Sequence, residues 1–190
     1  MTRTPATDLN VDFGSIVHNL RTTTGALPGE ELWVNAESKH ELAHESQGYA
    51  WVIETCAREI GRGPVDIQEA VEEVSSKIDE EDDDLEYAAA TILENALAGD
   101  KAGIGRTLEP LTRSDIETVE EEMAYIAGDV LKELAGDKSS MVTGLRAAAA
   151  QYVDEDEDAT DHVYVLDEEG EEEVEIEDVA LDDLDEDEEW

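Results

Sequence analysis

Cysteine is nearly missing from this chain of 190 residues; Cys56 is the only one, so no disulfide within the chain can staple the fold. Basic residues are also scarce. Five lysines and seven arginines stand against 53 acids, leaving a formal net charge of -41. Neutralising phosphates takes clustered lysine and arginine, so this shortage argues against direct binding to a nucleic-acid backbone. No apolar run approaches the ~20 residues that a membrane span requires. The opening Met1-Thr2-Arg3-Thr4-Pro5 has no apolar core of a signal peptide. These absences predict a cytoplasmic protein, or one packed into a particle assembled there, with no membrane partner. Walker, Rossmann and Gly-x-Ser-x-Gly patterns are missing. The acidic runs also lack the spaced Asp-x-Asp-x-Asp-Gly of a calcium loop, which leaves bound cations diffuse rather than chelated.

Negative charge is what the chain has in excess. In dilute buffer such a surface repels itself and loses compactness. At about 1 M salt the Debye length falls to roughly 3 Å, and the repulsion largely vanishes while hydrated carboxylates keep the surface soluble. The composition resembles the salt-adapted proteome of an extreme halophile, or of a virus infecting one. The length suits one domain with a sizeable core followed by a tail.

Hydrophobic periodicity predicts an all-α fold, a bundle of about five helices over residues 11–153, after a polar, frayed stretch at 1–10. Phe13, Ile16, Val17 and Leu20 recur at helical spacing and mark a short helix. Glu31 to Val34 reads as a brief extended piece. A stronger helix opens at Ser38, with Glu41 completing a capping box, and stops near Ile60 before Gly61. Its stripe is Leu42, Tyr49, Ile53, Cys56 and Ile60, which makes Cys56 an inert core residue. A second begins at Asp66 with Glu69 as box partner, and Ile67, Val71, Val74 and Ile78 form its apolar face. Six consecutive acids, Asp79 to Asp84, read as a solvated linker or an N-terminal charge cluster. The third helix spans Leu85 to Leu97, and the stretch from Gly103 to Pro110 reads as a loop. A fourth opens at Ser114 with Glu117 and carries Ile116, Val119, Met123, Ile126, Val130 and Leu134. A fifth covers about Ser140 to Tyr152, with Met141, Leu145, Ala148 and Tyr152 inward. Leu-Ala-Gly-Asp-Lys occurs at 97–101 and again at 134–138, and reads as two similar glycine stops rather than a repeat.

One motif carries catalytic chemistry. Residues 40–44 read His-Glu-Leu-Ala-His, the HExxH pattern, and so resemble zincin metallopeptidases. Two histidines one helical turn apart grip a Zn²⁺, and the intervening glutamate takes a proton from the metal-bound water. The resemblance implies His40 and His44 as ligands and Glu41 as general base. The context speaks against it. Glu45-Ser46-Gln47 follows where apolar residues are usual, and the metzincin positions hold Gln47 and Ala50 instead of Gly and His. A third ligand about twenty residues on would fall at Pro64, with Glu59 and Glu69 the nearest candidates. The histidines also sit on the polar flank of the stripe. His18 and His162 have no partners at metal or triad spacing.

Residues 154–190 hold 22 acids and no lysine or arginine. Segments 162–166 and 173–176 flank a turn around Gly170 and suggest a short β-hairpin within 162–177, marginal by itself. Leu181, Leu184 and Trp190 are set among acids, an arrangement that resembles the acidic, aromatic-ended tips of some single-stranded-DNA-binding proteins. That resemblance implies partner docking, with the apolar side chains entering a pocket and the acids meeting a basic rim. The leading expectation is a non-enzymatic interaction or assembly protein: a virion structural or connector component, an assembly chaperone or a charge mimic. Its partner would be a protein with a basic surface, or further copies of itself, and it would need no cofactor. The alternative is the zinc metallopeptidase.

Overall fold

The computed structural model describes residues 11–78 and 84–151. Among these the chain is all-helical, with seven helices and no strand: α1 (Phe13–Thr23), α2 (Lys39–Glu59), α3 (Pro64–Ser75), α4 (Asp84–Ala98), α5 (Lys101–Leu108), α6 (Arg113–Ala135) and α7 (Lys138–Ala150). No helix among the described residues is long and apolar enough to cross a membrane. The stretches 1–10 and 154–190, with the hairpin expected at 162–177, lie outside the described residues, as do Tyr152 and most of the six-acid run.

The long helices α2 and α6 organise the packing. α2 touches all six other helices, and α6 touches α1, α2, α3, α4 and α7. Their stripes are buried as the spacing predicts: Leu42, Tyr49, Ile53 and Cys56 on α2, and Ile116, Val119, Met123, Ile126, Val130 and Leu134 on α6. Burial pushes the Cys56 thiol up to about 12, which keeps it protonated and unreactive. Ile60, at the C-terminal end of α2, is only half-buried. Backbones approach closely where α7 crosses α2. A Cβ on Gly144 would lie 3.0 Å from Cys56 Cβ and 3.1 Å from its Cα, so glycine favours this close approach by space rather than by backbone angle.

Three expectations need correction. The stretch expected to be a loop from Gly103 is helical as α5. Two glycines cost a helix about 1 kcal/mol each, but Asp100 caps it by accepting the Gly103 N–H at 2.9 Å, and Ile104 and Leu108 are buried. Gly103 also fits beneath Asn95, whose side chain a Cβ would strike. α3 starts at Pro64 rather than Asp66, and Asp66 reaches back to the Gly63 N–H at 2.7 Å. α6 starts at Arg113, with Asp115 reaching back to the Thr112 N–H at 2.7 Å. In both helices an aspartate fills the third helical position; sequence spacing assigns the cap to Asp66 itself in α3 and to Ser114, the second helical residue, in α6.

The repeated Leu-Ala-Gly-Asp-Lys is a connector between helices. Gly99 and Gly136 take left-handed φ values of 73° and 69° and end α4 and α6. Asp100 and Asp137 then cap α5 and α7, Asp137 by accepting the Ser140 N–H at 2.9 Å. Each lysine is the first residue of the new helix.

Candidate functional site

His40 and His44 lie one turn apart at the start of α2, their rings edge to face with centroids 4.4 Å apart. His40 is exposed and His44 half-buried. The Glu41 carboxylate turns back toward the chain entering the helix, accepting the Glu37 N–H at 2.7 Å, while the Glu41 N–H donates to Ser38 Oγ at 3.2 Å. Glu41 thus acts as part of the helix start, one residue displaced from the reciprocal box that the sequence suggests. Glu59 is fifteen residues beyond His44 on the same helix, roughly 22 Å along its axis, and Glu69 is exposed on α3, past that far end. Among the described residues no three His, Cys, Asp or Glu side chains are grouped to hold a metal ion. Among the described residues the donors therefore do not make up the three-ligand zinc set that the motif implies. A depression of about 660 Å³ opens nearby, between the start of α2 and α5, lined by Lys39, His40, Ala102, Gly105, Arg106 and Leu108 among others. Neither Glu41 nor His44 lines it. Lys39 Nζ is already engaged, donating to the Glu109 carbonyl at 2.7 Å.

One turn further along α2 the structure brings together acids that sequence reasoning passed over. Glu45 is 9% exposed and Glu120, from α6, is 1% exposed. Burial, then the charges of Glu120, Asp12 and Glu41, push Glu45 up to about 7. Burial also raises Glu120, against the pull of two backbone N–H groups that it accepts, from Asn35 at 2.9 Å and Ala36 at 2.7 Å. Two buried carboxyls both raised above their ordinary range are the raw material of acid–base catalysis. Here, however, both Glu120 oxygens are occupied by backbone. The signal was present: Glu45 is three residues from Leu42 and four from Tyr49, and Glu120 is four from Ile116 and three from Met123. Each acid therefore sits on an apolar stripe.

Those two N–H bonds hold the stretch between α1 and α2, just after the Glu31 to Val34 piece that the sequence suggests as extended. It forms no strand; side chains of the bundle fix it instead. Buried Asn19 on α1 brackets Trp33, accepting its N–H at 2.7 Å and donating to its carbonyl at 3.0 Å. The same Asn19 amide donates to the Tyr49 hydroxyl at 3.0 Å. Asn35 donates to Ser15 Oγ at 3.0 Å, and Ser15 in turn donates to Asp12 at 2.7 Å. Held in this way, Trp33 is nonetheless 50% exposed. Its indole stacks on the His18 imidazole, with centroids 3.8 Å apart and planes 11° off parallel, and His18 Nε2 lies 3.0 Å from the Glu31 carbonyl.

The expected partner-binding residues Leu181, Leu184 and Trp190, and His162, fall outside the described residues. No family model matches the chain, and neither a curated protein nor a solved structure shows significant similarity to it.

Proposed function

We propose that the chain is a non-enzymatic interaction or assembly protein of a high-salt cytoplasm or of a virus particle formed there, engaging a protein partner that has a basic surface. One observation carries this reading. Twelve bases can neutralise at most twelve of 53 acids, so at least 41 carboxylates have no cationic side chain of their own chain to meet. The ion pairs seen in the bundle are exposed and local: Arg62–Asp66 at 3.6 Å, Lys77–Glu73 at 3.1 Å, Arg106–Asp100 at 3.4 Å and Lys132–Asp129 at 2.8 Å. Pairs of this kind contribute little to stability. Charge left over on this scale favours fast, oriented capture of a cationic surface and repels nucleic acid and anionic lipid. Within the anionic stretch 154–190, Leu181, Leu184 and Trp190 supply apolar anchors that persist when salt screens the charges.

The test is affinity capture at about 2 M KCl, where the Debye length is only a few ångströms, with three baits: the full chain, a chain ending at Val153, and Leu181→Ala/Leu184→Ala/Trp190→Ala. The full chain should enrich basic proteins, and both altered baits should lose most of them. Equal recovery by all three would move the interaction surface onto the helices. Recovery of nothing basic by any bait would remove the reading.

A further inference from the structure

The loop carrying Trp33 is held at a cost that its own burial does not explain. Asn19 at 2% exposure and Glu120 at 1% direct four hydrogen bonds at the backbone of residues 33–36, from helices nearly a hundred residues apart in sequence. Burying a carboxylate is unfavourable unless its partners are well placed. The outcome of this expenditure is a large ring left half in solvent. The other described tryptophan, Trp51, behaves in the ordinary way: it is half-buried and packs edge-on to Phe13 at 5.0 Å. One face of the Trp33 indole is covered by His18, and the face opposite is the part that the imidazole does not reach. An aromatic ring fixed in advance by its backbone loses little freedom on binding, which is what an anchor residue at an interface requires.

The surroundings specify what the ring would meet. Between α1 and α2 stand three exposed carboxylates, Glu30, Glu31 and Glu37, against one cation at each border, Arg21 at the end of α1 and Lys39, which already donates to the Glu109 carbonyl. Resting on the reading of an anionic interaction protein, we infer that the Trp33–His18 stack is a docking platform for an arginine side chain of a basic protein partner. The guanidinium lies flat on the open indole face while its N–H donors reach the flanking glutamates. Arginine fits better than lysine because its planar, weakly hydrated cation both stacks and donates in a fork. Stacking also survives at molar salt, where attraction to isolated carboxylates is screened. A nucleic-acid base, the other planar ligand, would have to bring its phosphates against those three glutamates.

The experiment titrates the full chain with an arginine-rich peptide and with its lysine-for-arginine counterpart in about 2 M KCl, reading affinity by calorimetry and the indole by fluorescence. The arginine peptide should bind at least about fivefold more tightly, and Trp33→Ala should weaken it about tenfold while Trp33→Phe retains most of the affinity. Circular dichroism of Trp33→Ala should match the parent, because half of this residue is already in water. If Trp33→Ala binds the arginine peptide as well as the parent does, the platform is overturned while the anionic interaction reading stands. If the parent binds neither peptide at any salt concentration, both are overturned.

Discussion

The first half of α2, residues 39–49, buries the polar side chains Glu45, Ser46 and Tyr49 beside Leu42, and the buried residues of the second half, 50–59, are small or apolar except Thr55. Near Glu45 and Tyr49 the interface with α1 and α6 contains buried carboxyls, an amide and a hydroxyl, joined to the 33–36 backbone by hydrogen bonds. Near Cys56 the interface with α7 is tight enough that a Cβ on Gly144 would press on the Cys56 Cα and Cβ at about 3 Å. Both halves belong to one helix, buried on the same stripe, yet only the apolar half is there for stability alone. Beside the polar half, Asn19 of α1 and Glu120 of α6 hold an irregular segment and an exposed ring in place, and Glu45 adds a buried acid that prefers water. The comparison predicts that the apolar half tolerates changes of salt and pH but no added volume, whereas the polar half responds to protons.

The largest effect should come from volume in the apolar half. Gly144→Val forces two methyl groups against the Cys56 backbone, and overpacking of this kind costs about 3 kcal/mol. Thermal melting should show a drop of many degrees; an unchanged melting temperature would mean that α2 and α7 are not locked as described.

Protons should test the polar half. The folded chain keeps a proton on Glu45 up to about pH 7, whereas the unfolded chain has lost it by its ordinary 4.5. Stability from this group is therefore full below about pH 4.5 and declines as pH rises through 7, by on the order of 3 kcal/mol in total. Glu120, also raised, acts in the same direction. Asp115 and Asp137 are lowered by hydrogen bonds at helix starts and act oppositely, losing their contribution only in more acidic solution. Chemical denaturation at pH 5 and pH 8 should show the decline, and Glu45→Gln should flatten it. An equal slope in the variant would show that Glu45 is not the group responsible.

Removing the acceptor for the loop comes next. Glu120→Ala leaves the Asn35 and Ala36 N–H groups without partners and relieves the charge on Glu45, a net loss of about 2 kcal/mol at pH 5, where Glu45 is neutral in either case. Trp33 fluorescence should shift toward that of a fully solvated indole as the segment loosens. The smallest effect belongs to the metal-like motif. His44→Ala should change melting by less than about 1 kcal/mol, and the parent should purify without stoichiometric zinc by elemental analysis. One zinc per chain, lost in His40→Ala, would bring the metallopeptidase reading forward.

The stripes of α2 and α6 could be read from the sequence because apolar spacing survives even in a chain so rich in acid. The start at Pro64 was misplaced because an aspartate reaching back looks the same, in one dimension, as an aspartate capping forward, and the start at Arg113 because Ser114 with Glu117 offers a second box two residues after the Thr112–Asp115 one that forms. α5 was hidden by its two glycines, of which Gly103 makes sense only once Asn95 is known to lie over it. Glu45 and Glu120 stood on their stripes in plain sight, but acids are so common here that two more at apolar positions carried no contrast. The Trp33 platform was beyond reach for a different reason. Its supports come from Asn19 and Glu120, and no local pattern announces that those residues share one loop.

Salt dependence of the fold bears most directly on the central claim, that this chain carries far more negative charge than it can neutralise and depends on external cations or a basic partner. Residues 1–153 carry 31 acids against 12 bases, a net of -19. Circular dichroism of the full chain across a KCl titration should show helicity falling below a few hundred millimolar and returning above about 1 M, where screening is short-ranged. An arginine-rich peptide added at low salt should restore it as well. A fully helical signal that stays flat down to about 10 mM KCl, where the Debye length reaches roughly 30 Å, would contradict the account.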